Sequence, residues 1–295
     1  MNDRTVICFG EILWDVYPDK EIIGGAPLNV ALRLHSYNTN VKIISCIGTD
    51  DSGYRVEDYL SKNDLSQELI QKNTTLKTGS VEITLDENGN AKYEIYKPVA
   101  WDAIQLTEII IGAVKNAPFF VFGSLAARGN YNRITLDRLL EVANIKIFDA
   151  NLRHPHYDIS MVYELMQKSD FIKLNDEELN EICGVLGCRE KDLESQINWL
   201  VQTTSTNSIC ITRGGNGAIL YHKGNFYDHK GYKIKVKDAV GAGDSFLATL
   251  ISELLLNQKS PQVSLAQACA VGALVVSKEG ANCVIDDAEI ARLTD

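Results

Sequence analysis

Short apolar runs alternate with longer stretches of helical periodicity along most of the chain. The runs are rich in Val, Ile and Phe, a composition that favours buried strands. The candidate strands are Val6–Phe9, Val41–Ile47, Phe119–Phe122, Ile145–Phe148, Phe171–Lys173 and Ser208–Thr212. The candidate helices cover about Leu28–Tyr37, Ser52–Lys62, Phe246–Leu255 and Leu265–Ser277. Strands that alternate with helices predict an α/β fold whose mostly parallel sheet is covered on both faces.

Two segments depart from this alternation. Residues 76–97 alternate apolar and polar side chains, with Asp86-Glu87-Asn88-Gly89 as a hairpin turn between Ser80–Leu85 and Ala91–Tyr96. Residues 12–25 also look partly extended. Neither segment fits a sheet covered by helices, so together they predict a small β lid beside a single main domain that spans residues 1–295.

Composition narrows the possible partners and the location of the protein. The 295 residues include 39 acidic and 29 basic side chains, a net charge of −10, which argues against binding nucleic acid or an anionic membrane. The seven cysteines form no C-x-x-C pair, so we expect free thiols in a reducing compartment. The apolar stretch near the N-terminus is interrupted by Glu11 and Asp15, unlike a signal peptide or a spanning helix. We therefore expect a cytoplasmic protein.

The most specific motif is the run Asp238-Ala-Val-Gly-Ala-Gly-Asp-Ser-Phe, which precedes an amphipathic helix. Backbone N–H groups of Gly241, Ala242 and Gly243 would point at one spot near the positive end of the helix dipole, which is a site for phosphate. Asp244 would then lie beside that site, where its carboxylate can accept a proton from an attacking hydroxyl. The alternative is a structural turn with Asp244 as a helix cap.

A second motif, Gly24-Gly25-Ala-Pro-Leu-Asn29, also precedes a predicted helix. Paired glycines allow the backbone to approach a ligand closely, and the Asn29 amide can both donate and accept hydrogen bonds with a polyol. The carboxylate of Asp15 could accept hydrogen bonds from two sugar hydroxyls. A turn followed by a cap explains the glycines equally well.

Two further motifs follow predicted strands. Asn175 and Glu178 are three residues apart at a helix start, so both could orient water around Mg²⁺, although a capping box explains the same spacing. Arg153 follows the strand that ends near Phe148 and could contact a sugar or the transferring phosphoryl group. A surface ion pair is the alternative for Arg153.

A glycine-rich turn from Thr212 to Gly217 joins two predicted strands, and it could lie against a nucleotide with Thr212 as a hydroxyl ligand. It is neither a Walker A loop nor a dinucleotide-binding fingerprint. Residues 216–231 then predict a hairpin with His222-Lys223-Gly224-Asn225 as its turn. A plain turn between strands is the alternative to a nucleotide site.

Taken in order, these motifs resemble the ribokinase-type (PfkB) family of carbohydrate kinases over essentially the whole chain. The run from Asp238 to Asp244 is similar to the family's second signature, with Ala239 in place of the usual Thr, and residues 24–29 are similar to the first. The resemblance implies a three-layer αβα domain with a β lid that closes over a sugar. It further implies a site for Mg-ATP, to which it assigns Asn175, Glu178, Thr212, Gly214, Gly217, Ala273 and Ser277.

Within the family, the segments that begin at Phe9, Phe122 and Phe148 resemble the fructokinases most. Members of the family often dimerise through the lid, and several are activated by K⁺. The resemblance therefore implies a homodimer and places a K⁺ site near Asp238, between residues 238–240 and 275–283. Glu178 would contact Mg²⁺ through water.

The resulting hypothesis is an ATP-dependent sugar kinase that phosphorylates the primary hydroxyl of D-fructose, with Asp244 as the base. Sugar would bind to Asp15, Gly24, Gly25, Asn29 and Arg153, without nucleic acid or membrane as a partner. Three alternatives remain open at this point: a 2-keto-3-deoxygluconate kinase or ribokinase of the same family, a nucleoside kinase, and a non-catalytic sugar- or nucleotide-binding regulatory protein.

Overall fold

The computed structural model describes residues 4–85 and 91–294, which form two sheets and the helices that cover them. The strands of the large sheet are β1 Val6–Phe9, β4 Val41–Gly48, β5 Ile70–Asn73, β8 Phe119–Gly123, β9 Ile145–Asp149, β10 Phe171–Asn175, β11 Ser208–Thr212, β12 Ala218–His222 and β13 Asn225–His229. The small sheet contains β2 Leu13–Val16, β3 Glu21–Gly24, β6 Gly79–Leu85 and β7 Ala91–Ile95. All the strands predicted for the main domain are present, several of them longer by one or two residues.

The large sheet runs in the order β13-β12-β11-β10-β9-β8-β1-β4-β5. Its strands pair in parallel from β11 to β5, and β12 and β13 add an antiparallel hairpin at one edge. This hairpin is the one predicted over residues 216–231. The carboxyl ends of the parallel strands meet at one edge of the sheet, where ligands usually bind in such folds.

Ten helices are described: α1 Ala26–Ser36, α2 Asp51–Lys62, α3 Glu108–Asn116, α4 Asn130–Val142, α5 Ile159–Gln167, α6 Asp176–Leu186, α7 Leu193–Thr204, α8 Ala242–Leu250, α9 Pro261–Val276 and α10 Asp287–Thr294. The predicted helix Phe246–Leu255 begins earlier, at Ala242, and continues past Leu250 as a π-helical turn over Ile251–Leu256. No helix among the described residues is long and apolar enough to cross a membrane.

Helices cover both faces of the large sheet because successive side chains of each strand point in opposite directions. On β1, Ile7 and Phe9 pack with α3 to α7 in one hydrophobic cluster, whereas Val6 and Cys8 pack with α1, α2, α8 and α9 in the other. All four side chains are at most 1% exposed. Burial on both faces explains why these strands read as continuous apolar runs, and it gives the predicted three layers.

The small sheet has the order β3-β2-β6-β7 and buries Leu13, Val81 and Ile83 on one face. It is built from the two segments that broke the alternation in the sequence, and the predicted turn at residues 86–89 lies outside the described residues. Trp101 fixes its position against the main domain, because a Cβ at Gly79 would lie 2.3 Å from the Trp101 ring nitrogen. The indole of Trp101 is fully buried.

Candidate active site

The glycine turn before α8 has no room for a side chain at Gly241, and it leaves backbone N–H groups without a side-chain partner. Gly241 is the N-cap of α8 with φ 74°, and a Cβ there would lie 2.2 Å from that of Ala281. Only glycine fits such a position without strain. No side chain of the described residues caps α8. The N–H of Ala242 donates to the carbonyl oxygen of Ala239 at 3.4 Å, and the N–H groups of Gly243 and Asp244 remain available to an anion at the positive end of the helix.

Asp244 is the third residue of α8 and is 9% exposed. Its Oδ2 accepts a hydrogen bond of 2.8 Å from the amide of Asn29 in α1. Burial and the nearby Asp149 raise the pKa of Asp244 to about 6, against the opposing effects of Lys173, Asn29 and Arg153. A carboxylate with this pKa is mostly ionised at neutral pH and can still accept a proton, as a general base requires.

An ion pair lies directly beneath the glycine turn. Lys173 Nζ donates to both carboxylate oxygens of Asp149, at 2.9 and 3.2 Å, and both side chains are buried, Lys173 in the middle of β10 and Asp149 at the end of β9. A Cβ at Gly243 would lie 3.2 Å from Lys173 Nζ, so the ammonium packs against the turn. Burial lowers the pKa of Lys173, but the surrounding carboxylates raise it by a larger amount. The net effect is a raised pKa, so the ammonium stays charged. The turn therefore has a fixed positive charge behind its amides.

Asp15 and Gly24 lie side by side on β2 and β3 of the small sheet. A Cβ at Gly24 would lie 2.6 Å from Asp15 Oδ2, so the glycine leaves the space that this carboxylate occupies. Burial raises the pKa of Asp15 to about 6, and Arg153 counteracts part of that effect. Arg153 itself is exposed, and its charge also lowers the pKa of Asp244 and Glu11. These side chains face a common region between the two sheets.

Glu11 is a buried carboxyl group that sequence reasoning did not select. It follows β1, is 3% exposed, and accepts a hydrogen bond of 3.3 Å from the N–H of Ala26, while its Oε2 has no described partner. Burial raises the pKa of Glu11 to about 7. Gly25, with φ 114°, brings the chain close to this segment, since a Cβ there would lie 2.3 Å from the carbonyl oxygen of Glu11.

Asn29 connects the two halves of the site. Its Nδ2 donates to Asp244, and its Oδ1 accepts a hydrogen bond of 3.0 Å from Asn282, which follows α9. The orientation of the Asn29 amide is thus fixed by partners on both sides. The sequence placed Asn29 among sugar ligands, and in the structure its side chain also holds Asp244 in position.

Asn175 and Glu178 form the capping box that the sequence offered as an alternative. The Glu178 N–H donates to Asn175 Oδ1 at 2.7 Å, and the Asn175 N–H donates to Glu178 Oε2 at 2.8 Å. Glu178 Oε1 accepts from the N–H of Leu152 at 2.8 Å. Each carboxylate oxygen keeps a second lone pair for a water molecule. In residues 4–85 and 91–294, no cluster of three acidic, His or Cys side chains is arranged to hold a metal directly.

A cavity of about 330 Å³ lies between the glycine-rich turn after β11, the start of α8 and the face of α9. Its lining includes Thr212, Gly214, Gly217 and Ala273, which the resemblance assigned to a nucleotide site, together with Ala242 and Gly243 of the α8 turn. Sequence reasoning missed the segment from Gly231 to Val236, which contributes Tyr232, Ile234 and Val236 to the lining. The cavity is mostly apolar and opens on the amides of α8, a combination that suits a base attached to phosphates.

Ser277 and Asp238 lie at the far end of this region. Ser277 follows α9 and its hydroxyl donates to the carbonyl oxygen of Leu274, and it does not line the cavity. Asp238 accepts hydrogen bonds from the N–H groups of Val240 and Gly280, both at 3.0 Å. Asp238 therefore joins the two loops between which the sequence placed a potassium ion.

Comparisons with known proteins give a family match and identify the same architecture. A model of the pfkB family of carbohydrate kinases matches residues 4–288. Fructokinase-2 of Solanum lycopersicum is 25% identical, and the alignment covers 95% of this chain and 92% of that protein.

Two crystal structures are similar to the whole fold. The Xylella fastidiosa fructokinase with bound ATP has a TM-score of 0.82 at 22% identity, covering 95% of this chain and 94% of its own. A double mutant of the Vibrio cholerae O395 fructokinase, with bound fructose, ADP and potassium ion, has a TM-score of 0.85 at 20% identity, covering 99% of each chain. These likenesses confirm the predicted fold class.

Proposed function

Because the chain belongs to the pfkB family of carbohydrate kinases, we propose that it transfers the γ-phosphate of ATP to the primary hydroxyl of D-fructose. The product would be fructose 6-phosphate. Membership of the family makes the protein a sugar kinase, and fructose as the acceptor is suggested by the names of its relatives.

One observation carries the proposal. Asp244, the glycine turn and the Lys173–Asp149 pair lie together at the start of α8, between a polar region that faces the small sheet and an apolar cavity. A base, an anion site and a fixed cation therefore meet where a sugar hydroxyl and a terminal phosphate would meet. That arrangement suits phosphoryl transfer, in which positioning and charge stabilisation account for most of the catalysis.

In the proposed reaction, the sugar binds to Asp15, Gly25, Asn29 and Arg153 beneath the small sheet. The ionised carboxylate of Asp244 takes the proton of the primary hydroxyl as that oxygen attacks the γ-phosphorus. The bond from the γ-phosphorus to the bridging oxygen breaks, and ADP leaves with the electron pair. The α8 amides and Lys173 stabilise the negative charge on the transferring group.

The site fits a magnesium ion held indirectly. Glu178 and Asn175 would hold it through water, because the oxygens of Glu178 already accept backbone hydrogen bonds and keep lone pairs free. When bound, Mg²⁺ supplies charge neutralisation on the phosphates.

Four properties expected from the sequence are carried forward as proposals. The small sheet acts as a lid on a single kinase domain, and a homodimer forms through that sheet. A potassium ion binds near Asp238, which is supported by the loop contacts of Asp238 and by the potassium ion in the Vibrio cholerae relative. The protein acts in the cytoplasm, consistent with seven free cysteines, five of them buried.

The test is a coupled assay of ADP release with Mg-ATP and K⁺ at neutral pH. The acceptors are fructose, glucose, mannose, ribose, 2-keto-3-deoxygluconate and adenosine. We expect fructose to exceed every other acceptor by at least about a hundredfold in kcat/KM, since loss of a substrate hydroxyl contact is costly in a polar site. Faster turnover of another acceptor would overturn the assignment of fructose and leave the kinase mechanism standing. No turnover of any of them would contradict the whole proposal.

A further inference from the structure

A second cavity of about 380 Å³ lies outside the site described above. Its walls come from the exit of the small sheet at Lys97, the start of α4 and the loop that leads into α5. It shares no lining residue with the apolar cavity between β11 and α9. Its size is within the range of small-molecule sites.

Two buried polar atoms of the lining residues have no hydrogen-bond partner in the described part of the chain. They are Nη1 of Arg128 and Nδ1 of His156, which come from different segments. Most buried polar groups in folded proteins are satisfied, so two unsatisfied atoms around one cavity point to a missing partner. The Arg128 side chain is only 3% exposed. A guanidinium nitrogen can only donate, and the partner must therefore offer an acceptor.

Arg128 is held rigidly on its other sides. Its Nε and Nη2 donate to the two carboxylate oxygens of Asp102 at 2.8 and 2.7 Å, and Nη2 also donates to the carbonyl oxygen of Tyr96 at 2.6 Å. The guanidinium stacks on the Trp101 ring, 4.0 Å from its centroid. Only Nη1 is left for a ligand, and little side-chain entropy remains to be lost when one binds.

The charges around this cavity favour an anion. Lys97 is exposed and forms no ion pair within the described residues, and Lys97 and Arg128 lower the pKa of His156 after the larger effect of burial. The two acids of the lining are already engaged. Glu164 pairs with Arg133, and Asp158 accepts from the N–H of Met161 at the start of α5. Arg128 is itself paired with Asp102, so the unpaired positive charge of the described lining comes from Lys97.

We propose that this cavity binds a small phosphate monoester. Arg128 and Lys97 would contact the phosphate oxygens, and His156 would contact a polar atom of the organic group that carries the phosphate. Phosphate oxygens can accept hydrogen bonds from the free Nη1 of Arg128, and the unpaired ammonium of Lys97 adds a charge that attracts the anion. The ligand would span the exit of the small sheet and the main domain, since Lys97 follows β7 and Arg128 precedes α4. This site is separate from the site of phosphoryl transfer.

The probe is inorganic phosphate, and the experiment must exclude its binding at the α8 turn. Isothermal titration is therefore performed on the full chain after saturation with magnesium and a non-hydrolysable ATP analogue, which fills the γ-phosphate position. We expect saturable binding of one phosphate under these conditions. Absence of binding to the analogue complex overturns the proposal, whether or not the enzyme phosphorylates fructose.

Three variants locate the bound phosphate. Lys97→Gln removes an exposed charge and should weaken phosphate binding about three- to fivefold. Arg128→Lys keeps the charge but loses the Nη1 donor, and should weaken phosphate binding roughly tenfold. Lys191→Gln, an exposed lysine outside the cavity, is the matched control and should bind phosphate like the unaltered protein. If all three bind phosphate equally, the ion lies elsewhere and the proposal is wrong.

Discussion

Helices α6 and α8 both begin at the edge of the sheet that carries the site, and both have a buried carboxylate as their third residue. In α6 this residue is Glu178, which turns back and accepts a hydrogen bond from the N–H of Asn175. In α8 it is Asp244, which accepts instead from the side chain of Asn29 on another helix. The two carboxylates occupy the same helical position, but Glu178 caps its own helix, whereas Asp244 is bound by a side chain of another helix.

The difference follows from the residue that precedes each helix. Asn175 has a side chain that caps α6, so the box closes on itself and satisfies the first-turn amide of Glu178. Gly241 has no side chain that could cap α8, and the N–H groups of Gly243 and Asp244 stay available for a ligand. At the capped start of α6, side chains satisfy the first-turn N–H groups, whereas the glycine start of α8 leaves N–H groups beside the buried Asp244 for an anion.

The largest expected effect comes from Asp244→Asn. The amide cannot accept the hydroxyl proton, so kcat should fall by roughly 10²–10⁴-fold, the usual contribution of a general base. Affinity for an ATP analogue should change little, because Asp244 does not line the nucleotide cavity. Steady-state ADP release measures kcat, and isothermal titration measures the affinity for the ATP analogue.

The thermal stability of that variant is a second readout. Because burial raises the pKa of Asp244 from its ordinary value of 3.8 to about 6, folding favours the protonated carboxyl. Stability therefore falls as the pH rises from about 3.8 to about 6, and the whole penalty for the ionised group is present at pH 7. The neutral amide should therefore unfold at the same temperature or higher at pH 7. Retention of near-full activity would remove Asp244 from the role of base.

Gly241→Ala tests the open helix start from the other side. The new Cβ would meet Ala281 at 2.2 Å with φ at 74°, so we expect a loss of roughly 2 kcal/mol or more in the free energy of unfolding. The displaced amides should weaken binding of the ATP analogue by about tenfold.

Gly187→Ala is the matched control for that change. Gly187 ends α6 with φ 78° and has open space around its Cβ position, so alanine there costs only about 1 kcal/mol of left-handed strain. Denaturant unfolding and analogue titration of both variants separate strain from function. Equal analogue affinity in the two variants would show that the α8 amides do not hold the phosphates.

Much of the fold could be predicted because buried parallel strands leave apolar runs in the sequence. Val6–Phe9 and Ser208–Thr212 have the bounds predicted for them, and the two segments that broke the alternation pair in one small sheet. Local motifs also identified the start of α8, since a glycine turn and its following acid are adjacent in the chain. Features formed by neighbouring residues in the chain could therefore be predicted from the sequence.

The parts of the site that join distant segments were not predicted. Lys173 and Asp149 are 24 residues apart and meet only because β9 and β10 pair in the sheet. Lys173 lies within an apolar run and Asp149 directly follows one. A charge in such a place is buried and needs a partner, so the position of these two residues was the available signal. Tyr232, Ile234 and Val236 alternate with lysines, a pattern that could have been read as one apolar face against a ligand.

The pH dependence of kcat/KM gives a smaller but distinct test of the start of α8. This parameter reports groups in the free enzyme, and the proposed base must be ionised. With a pKa of about 6 for Asp244, kcat/KM should fall roughly tenfold per pH unit below that value and level off above it. A flat profile down to pH 5 would contradict a base with a raised pKa.

The smallest effect should come from opening the closed helix start. Asn175→Ala removes the cap of α6 and should cost about 1 kcal/mol, and it also frees Glu178, so turnover should fall severalfold as well. Asp192→Ala is the control, because Asp192 caps α7 by accepting from the N–H of Ser195 in an exposed hydrogen bond. This variant should lose a similar free energy of unfolding and keep its turnover unchanged. Thermal unfolding and kcat of the pair separate capping from orientation. If both variants keep full turnover, the capping box of α6 only stabilises the helix, and the proposed role of Asn175 and Glu178 in holding Mg²⁺ through water is wrong.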